Sequence, residues 1–174
     1  HLPNRTLLSE HVRFAIDRSK RNDQRMALLF IDLDRFKVIN DSLGHDAGDQ
    51  VLRVVAQRLS DCVRDCDIVS RLGGDEFVVL LEGIADAGQA SYTARRILDL
   101  INQPFRLAGD AYHVGASIGI SLFPDDGESI SELLRHSDAA MYRAKEEGRN
   151  GIFFFSNTLN DSTMASFQAR LVAS

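Results

Sequence analysis

The residues best suited to chemistry in this chain lie in one short segment, Arg71–Phe77, where two glycines precede two neighbouring carboxylates. Apolar residues flank the segment on both sides, which is typical of a β-hairpin with Gly73 and Gly74 at its tip. Glycine at such a tip permits positive φ and lets a large ligand approach the main chain. Because two acids beside an uncovered backbone are unfavourable in a simple turn, Asp75 and Glu76 indicate a site for a cation or a polyphosphate.

A second pair of carboxylates follows the apolar run Met26–Ile31, which we predict to be a buried central strand. Asp32 and Asp34 at the carboxyl end of such a strand are placed to hold Mg²⁺, although Asp34 fits a residue capping a turn equally well. If the hairpin packs beside this strand, Asp32 and Asp75 converge. Two carboxylates holding one or two metal ions is an arrangement used for displacement at phosphorus.

Positive charge for a triphosphate is available on Lys37, Lys145 and Arg149. Lys145 and Arg149 are four residues apart at the end of a predicted helix, so they can point the same way. The helix dipole alone also favours cations at this position. Asn40 and Asp49 can address the edge of guanine, since a carboxylate accepts from the guanine N1 and N2 hydrogens, but both also fit ordinary polar residues near a helix start.

Hydrophobic periodicity predicts the elements that must position these residues. Helices are predicted over residues 6–20, from Asp41 or Ser42 to about Leu59, and over 87–102 and 129–147, with Gly148 as the C′ residue of the last. Strands are predicted over residues 26–31, 68–72, 77–81, 112–123 and 152–155. Strands alternating with helices, plus one hairpin, predict an α/β domain with a mixed sheet.

Composition excludes several classes of function. The 174 residues suffice for one domain, and a net charge of −5 argues against an extended surface for nucleic acid or anionic membrane. The longest apolar runs are far too short to span a bilayer. Cys62 and Cys66 are expected to be reduced thiols. We therefore expect a cytoplasmic domain, which a membrane-anchored parent protein could also carry.

The two ends of the chain suggest a piece of a longer protein. The chain begins at His1 without an initiator methionine. We expect one domain over residues 1–155. Residues 156–174 change in composition, with apolar residues at helical spacing, and are interpreted either as a connector helix or as a frayed end.

Several ordered segments together resemble the GGDEF domain of bacterial diguanylate cyclases over about residues 2–155. The matching segments are Leu2–Arg5, Phe30–Lys37, Asn40-Asp41, Gly44–Asp49, Arg71–Phe77, Ser117–Ile120 and Asp138–Asn150. The resemblance implies a fold like the palm of nucleotidyl cyclases, a central sheet flanked by helices with the signature on a β-hairpin. It also implies condensation of two GTP into cyclic di-GMP with release of two pyrophosphates across an antiparallel homodimer.

The resemblance implies roles for individual residues. The metal ligands would be Asp32, the Leu33 carbonyl and Asp75, holding Mg²⁺ or alternatively Mn²⁺. Asp75 would also accept the proton of the 3′-hydroxyl, with Glu76 as assistant or second ligand, and Lys37 would stabilise the transition state. The substrate contacts would be Asn40 and Asp49 on guanine, His45 on the substrate side, Gly73 and Gly74 beside the nucleotide, and Lys145 and Arg149 on the phosphates.

A separate inhibitory product site is also implied by the resemblance. Arg64 and Asp67 form an R-x-x-D pair before the hairpin, which by itself would be only a surface salt bridge. Arg95 is taken as the second arginine of that site, although Arg96 competes for this role. The sequence is similar in style to GGDEF domains joined to a downstream EAL phosphodiesterase domain. Expected partners are therefore GTP, cyclic di-GMP, a second copy of the chain, and sensor or EAL domains; the alternative function is a non-catalytic binding module for GTP or cyclic di-GMP.

Overall fold

The computed structural model describes residues 4–160, in which a five-stranded mixed sheet has helices on both faces. The elements are α1 (Arg5–Asn22), β1 (Arg25–Leu33), α2 (Phe36–Leu43), α3 (His45–Cys62), β2 (Ile68–Gly73), β3 (Glu76–Ile84), α4 (Ala87–Ile101), β4 (Phe105–Leu107), β5 (Asp110–Tyr112), β6 (Ala116–Phe123), α5 (Ile130–Glu146) and β7 (Gly151–Phe154). The strand order is β2-β3-β1-β6-β7. Only β6 and β7 are parallel, and the other neighbours are antiparallel. The predicted α/β fold with a mixed sheet is confirmed.

Strand β1 runs through the middle of the sheet and is buried along nearly its whole length. Successive side chains of a strand point to opposite faces, so β1 contributes to two hydrophobic clusters. Its residues Ala27, Leu29, Ile31 and Leu33 pack with α3 and α4, whereas Met26, Leu28 and Phe30 pack with α1 and α5. A strand buried on both faces accounts for the uninterrupted apolar run in the sequence.

Helix α5 lies unusually close to β6 because Gly119 has no side chain. A Cβ atom at Gly119 would lie 2.0 Å from the carbonyl oxygen of Ser137 and 2.2 Å from the amide nitrogen of Met141. The main chain of α5 therefore occupies the space that any side chain at position 119 would need. Since α5 carries Lys145, this close contact fixes the height of that lysine above the sheet.

The predicted single helix from Asp41 or Ser42 to about Leu59 is wrong. The chain forms two helices, α2 and α3, and neither begins at those residues. Gly44, with φ of 91°, ends the first helix and precedes the second, a conformation that favours glycine. The apolar spacing used for the prediction belongs to α3 alone.

The predicted strand over residues 112–123 is also divided. Residues 110–112 form β5, which pairs with β4 in a separate two-stranded sheet, and only β6 joins the main sheet. The alternating pattern continues across the break between them, so periodicity alone did not reveal it. The predicted hairpin strands β2 and β3 and the last strand β7 are confirmed with small changes in their bounds.

The structure describes only the beginning of the predicted connector. Residues 157–160 form one helical turn, and Asn160 is buried against the end of β7. Its side chain accepts a hydrogen bond from the Phe154 amide at 2.6 Å and donates one to the Phe154 carbonyl at 2.8 Å. The remainder of the connector, residues 161–174, lies outside the described residues, as do residues 1–3.

Two further expectations concern the described part of the chain. No helix within residues 4–160 is both long enough and apolar enough to cross a membrane. Both cysteines are free thiols. Cys62, the last residue of α3, is buried in the hydrophobic core, and Cys66 is exposed in the loop that follows.

Candidate active site

Most of the residues that the sequence analysis assigned to a metal or phosphate site lie at one edge of the sheet. Because β3 and β6 run antiparallel to β1, and β7 runs parallel to β6, the carboxyl end of β1 meets the amino ends of the other three strands. Asp32 at the end of β1 therefore faces the hairpin tip on one side. The loop between α5 and β7, residues 147–150, reaches the same edge.

The hairpin tip between β2 and β3 exposes its main chain. Gly73 pairs with Glu76 across a two-residue turn. Gly74 has φ of 50°, in the left-handed region that favours glycine, and a Cβ atom built on it would meet nothing within 4 Å. Arg71 braces the turn, since its Nε donates to the Gly74 carbonyl at 2.9 Å. The turn is thus fixed by Arg71, and the space beside its two glycines is open.

The two acidic segments meet at this tip. Asp32 and Glu76 are direct partners in the β1–β3 register. The Leu33 amide donates to the Asp75 carbonyl at 3.2 Å, which joins the two segments just beyond the last strand pair. The arrangement places the carboxylates of Asp32 and Asp75 near enough to repel each other.

Asp32 is the most electrostatically perturbed group at the site. The pKa of its carboxyl is raised to about 7: burial is the largest cause, the hydrogen bond and charge of Lys145 lower it, and the neighbouring Asp75 carboxyl adds to the increase. Lys145 Nζ donates to Asp32 Oδ2 at 2.7 Å. The other oxygen, Oδ1, is buried and lacks a hydrogen-bond partner within residues 4–160. A buried carboxylate oxygen without a donor is costly unless a ligand satisfies it, and this oxygen fits a divalent cation.

Glu76 lies half-buried next to this pair. Burial raises the pKa of its carboxyl, the negative charges of Asp138 and Asp75 add to the effect, and Lys145 and Arg5 oppose it. Sequence reasoning did not assign Asp138 or Arg5 to the site. The available signal was the spacing of Asp138, which precedes Lys145 by seven residues and so lies on the same face of α5.

Lys145 and Arg149 both lie at this edge of the sheet, but on different elements. Lys145 is in the last turn of α5 and is already paired with Asp32. Arg149 follows the helix in the connecting loop and is exposed. The next residue, Asn150, is fixed to the edge because its amide donates to Asp34 at 2.8 Å.

The residues predicted to contact guanine lie on α2 and α3. Gly48 lets these helices approach, since a Cβ atom there would be 1.9 Å from Oδ1 of Asn40. Asn40 therefore packs against α3 at Gly48, and the following residue of that helix, Asp49, is exposed. His45 is exposed at the start of α3, and Lys37 is exposed in the first turn of α2.

Side chains alone do not complete a metal site in this part of the chain. Residues 4–160 contain no group of three or more His, Cys, Asp and Glu side chains that could together hold a metal ion. A cation at Asp32 and Asp75 would therefore need main-chain, water or substrate oxygens as further ligands. Magnesium ordinarily binds in this way in phosphate sites.

Arg64 and Asp67 lie at the other end of the hairpin. Two guanidinium nitrogens of Arg64 donate to the Asp67 carboxylate at 3.1 and 3.0 Å, and the Asp67 side chain is only 2% exposed. Asp67 also accepts from the Glu82 amide at 3.2 Å. A cavity of about 320 Å³ lies beside the pair. Arg95 is exposed on α4 and is not among the residues that line this cavity.

Comparison with known proteins shows the family and supports the fold. The family described as "Diguanylate cyclase, GGDEF domain" matches residues 1–151. The chain is 44% identical over 167 residues to the bifunctional diguanylate cyclase/cyclic di-GMP phosphodiesterase MucR of Pseudomonas aeruginosa, covering 96% of this chain and 24% of MucR. It is 40% identical over 158 residues to the cyclic di-GMP phosphodiesterase NbdA of the same organism, covering 91% of this chain and 20% of NbdA.

Solved structures show the same similarity. The crystal structure of the GGDEF domain of TpbB (YfiN) from Pseudomonas aeruginosa superposes with a TM-score of 0.86 at 40% identity, covering 88% of this chain and 96% of that one. The sheet, its flanking helices and the β2–β3 hairpin thus have the fold of a GGDEF domain. The chain belongs to the GGDEF family of diguanylate cyclases. It spans about a quarter or less of the length of the two curated relatives.

Proposed function

We propose that this domain is a diguanylate cyclase, which condenses two molecules of GTP into cyclic di-GMP and releases two pyrophosphates. The observation that carries this proposal is that Asp32 and Asp75 meet at the hairpin tip. One buried oxygen of Asp32 has no donor among residues 4–160, and Lys145 is bound to the other oxygen. An acidic pair beside an exposed main chain, with cations from a neighbouring helix, suits a Mg²⁺-dependent reaction on a triphosphate. GTP as substrate is consistent with a cytoplasmic domain.

The proposed metal site consists of Asp32, the Leu33 carbonyl and Asp75. The fit rests on the orphaned oxygen of Asp32 and on the oxygen-only character of the donors, which suits Mg²⁺ and also Mn²⁺. A bound divalent cation would neutralise the triphosphate and favour ionisation of the attacking hydroxyl. The Lys145 ammonium already contacts the Asp32 carboxylate. When a triphosphate binds beside Asp32, the same ammonium would be close enough to contact its phosphates.

The proton and charge movements follow from the same residues. The 3′-hydroxyl of each GTP attacks the α-phosphorus of the other, and the bond from that phosphorus to pyrophosphate breaks. Asp75 takes the proton, and Glu76 assists it from the adjacent position. Lys37, Lys145 and Arg149 stabilise the negative charge on the transferring and leaving phosphates. These roles require no oxidant or further reactant.

The nucleotide would extend from the hairpin to α2 and α3. Asn40 packs against α3 at Gly48, the residue before the exposed Asp49, and the two side chains would offer an amide and a carboxylate to the edge of guanine, with His45 at the start of the same helix. Gly73 and Gly74 leave room for the ribose and α-phosphate. One protomer then provides one GTP, and the reaction needs a second copy of the domain in an antiparallel homodimer to bring the two nucleotides together.

A second candidate function is a non-catalytic module that binds GTP or cyclic di-GMP and regulates another domain. This alternative is favoured by one observation: the chain matches a small part of longer proteins, one of which is named a cyclic di-GMP phosphodiesterase. A sensor or EAL domain in the parent chain would be the regulated partner. Arg64, Asp67 and Arg95 would then receive cyclic di-GMP.

The two candidates are separated by comparing binding with turnover. Purified protein would be titrated with GTP and, separately, incubated with GTP and Mg²⁺ as a fusion to a dimer-forming coiled coil. We expect both binding and cyclic di-GMP formation. Saturable binding of GTP, or of cyclic di-GMP in a parallel titration, without product from the demonstrably dimeric fusion would favour the regulatory module. The absence of GTP binding would contradict the cyclase, and the absence of binding to both nucleotides would contradict both candidates.

A further inference from the structure

Asp34 is bound differently from its neighbour Asp32. Its carboxylate is buried just beyond β1, where the Ser117 hydroxyl donates to Oδ1 at 2.7 Å and the Asn150 amide donates to Oδ2 at 2.8 Å. Both oxygens of Asp34 thus have donors, whereas Oδ1 of Asp32 has none within residues 4–160. The Asp34 carboxylate is therefore fully used in hydrogen bonds within the protein, whereas the Asp32 carboxylate has an oxygen left to bind a cation.

The loop held by Asp34 has an unusual main-chain conformation. Gly148, Arg149 and Asn150 have φ of 118°, 64° and 47°, so three successive residues lie in the left-handed region. Glycine adopts this region freely and asparagine tolerates it, whereas an arginine there needs surrounding contacts to remain in place. On the helix side, the Arg149 amide donates to the Ala144 carbonyl at 3.0 Å, as in a Schellman motif.

The other side of the loop is held by the Asp34 carboxylate. Asn150 also accepts a hydrogen bond from the Ala116 amide through its own Oδ1, at 3.4 Å. Gly115 leaves the space for this packing, since a Cβ atom there would lie 2.9 Å from Oδ1 of Asn150 and 3.0 Å from Oδ2 of Asp34. Arg149 therefore lies between two anchors, one at the end of α5 and one at Asp34.

We propose that Asp34 is a positioning residue for triphosphate binding: it fixes the main chain of Asn150, thereby holds Arg149 beside the phosphates, and does not ligate the metal. The proposal rests on the function proposed above, because Arg149 is assigned to the phosphates there. It makes two acidic residues separated by one position in the sequence functionally distinct. In this proposal Asp32 binds the cation, whereas Asp34 holds the loop of residues 147–150 in place.

The test compares Asp34→Ala with Asp34→Asn. An asparagine can still accept from the Asn150 amide through its oxygen and donate to the Ser117 hydroxyl, but it removes the charge that makes a good Mg²⁺ ligand. The probe is 3′-deoxy-GTP with Mg²⁺, which lacks the attacking hydroxyl, measured by calorimetry. We expect Asp34→Ala to weaken its affinity about tenfold and Asp34→Asn to stay within about threefold of the unchanged protein. Equal losses for both variants would overturn the proposal.

Two comparisons show whether Asp34 acts through Arg149. In an Arg149→Ala background, Asp34→Ala should cause little further loss, since residues acting as one unit are not additive. Asp126→Ala is the matched control, because Asp126 accepts from the Leu122 amide at 2.7 Å at the opposite end of β6. It should leave nucleotide affinity unchanged. An undiminished loss in the Arg149→Ala background would overturn the proposal.

Hydrogen exchange provides a readout that needs no nucleotide. Exchange of the Asn150 amide should accelerate at least about tenfold in Asp34→Ala while the Leu122 amide is unchanged, with the opposite result in Asp126→Ala. Unchanged exchange at Asn150 would refute the anchor itself. A changed exchange rate, in a protein that binds no GTP, would instead refute the proposed function and leave the anchor standing. If Asp34→Ala does not fold, Asp34→Thr replaces it, because threonine fills similar volume with one oxygen in place of two.

Discussion

Lys145 Nζ lies 2.7 Å from Asp32 Oδ2, and this contact joins the last turn of α5 to the central strand across 113 residues of sequence. The lysine is partly exposed, whereas Asp32 is only 8% exposed. The ion pair partly offsets the cost of burying the aspartate, and it places an ammonium group next to the proposed metal site. The contact therefore links the stability of the site to its chemistry.

Replacing Lys145 should reduce activity more than stability. We expect Lys145→Ala to lower the kcat/KM for GTP by about 100-fold, because a charged donor to the phosphates is lost. Arg135→Ala is the control, since Arg135 is an exposed cation on the same helix. Initial rates of cyclic di-GMP formation measure the effect. A similar loss in both variants would indicate a general electrostatic effect and contradict the assigned role of Lys145.

The raised pKa of Asp32 predicts how stability depends on pH when no divalent cation is present. The pKa is about 7 in the folded protein against a model-compound value of 3.8, so the folded state binds more protons between these pH values. The stabilising contribution of the protonated group is complete below pH 3.8 and is lost as the pH rises through 7. Asp32→Asn should therefore be more stable than the unchanged protein at pH 8, by about 2–4 kcal/mol, and nearly equal to it at pH 4.

Chemical denaturation in the presence of a chelator checks this prediction. Added Mg²⁺ should recover stability at pH 8 in the unchanged protein and much less in Asp32→Asn, because the variant has no buried negative charge at position 32 for the cation to neutralise. Parallel pH profiles for the two proteins would show that Asp32 is not the perturbed group.

The close contact between α5 and β6 predicts a large effect of a small substitution. Gly119→Ala should destabilise the fold by about 3 kcal/mol, because its Cβ meets main-chain atoms of α5 that cannot move independently. Gly151→Ala is the matched control: a Cβ atom there would meet only the Arg149 carbonyl oxygen, at an ordinary contact of 3.6 Å, and alanine in a strand should stabilise by up to about 1 kcal/mol. Denaturation midpoints of the two variants should move in opposite directions. If Gly119→Ala is neutral, α5 can shift away from the sheet and does not fix Lys145.

The closed ion pair between Arg64 and Asp67 bears on product inhibition. Arg64 must release Asp67 to contact cyclic di-GMP, so we expect Arg64→Ala to raise the inhibition constant of the product about tenfold while GTP turnover stays the same. Arg18→Ala is the control, because Arg18 forms a separate ion pair with Glu82 nearby. Progress curves with added product measure both quantities. Loss of turnover together with inhibition would argue against a separate site.

Much of this account could be predicted from the sequence, because the strongest signals were local. The Gly73-Gly74 turn, the apolar run of β1 and the acids that follow each of them identified the site before its geometry was known. The division of α2 from α3 at Gly44 was missed, since the apolar spacing of α3 gave no sign of a separate helix before it.

Other features depend on contacts between distant segments. The pairing of Lys145 with Asp32, and of Asn150 with Asp34, joins positions more than 100 residues apart. A single sequence indicates the type of such residues and not their partners. For this reason Asp34 fitted a metal ligand and a turn residue equally well until the donors to both of its oxygens were located.

The proposed two-protomer reaction predicts a specific dependence on concentration. If each domain presents one GTP, turnover per protomer should rise with protein concentration and level off once dimers predominate. Rates measured over a dilution series, with the dimer fraction followed by light scattering, check this expectation. A constant rate per protomer across a range in which the dimer dissociates would refute the two-protomer reaction.

The most direct test of the central claim is to incubate the dimer-forming coiled-coil fusion with GTP and Mg²⁺ and to quantify both products, with the Asp75→Ala variant of the same fusion measured in parallel. The account predicts cyclic di-GMP and pyrophosphate in a ratio of one to two, and loss of both products in Asp75→Ala with its fold preserved. Product formation that survives Asp75→Ala, or none from the unchanged dimer, would contradict it.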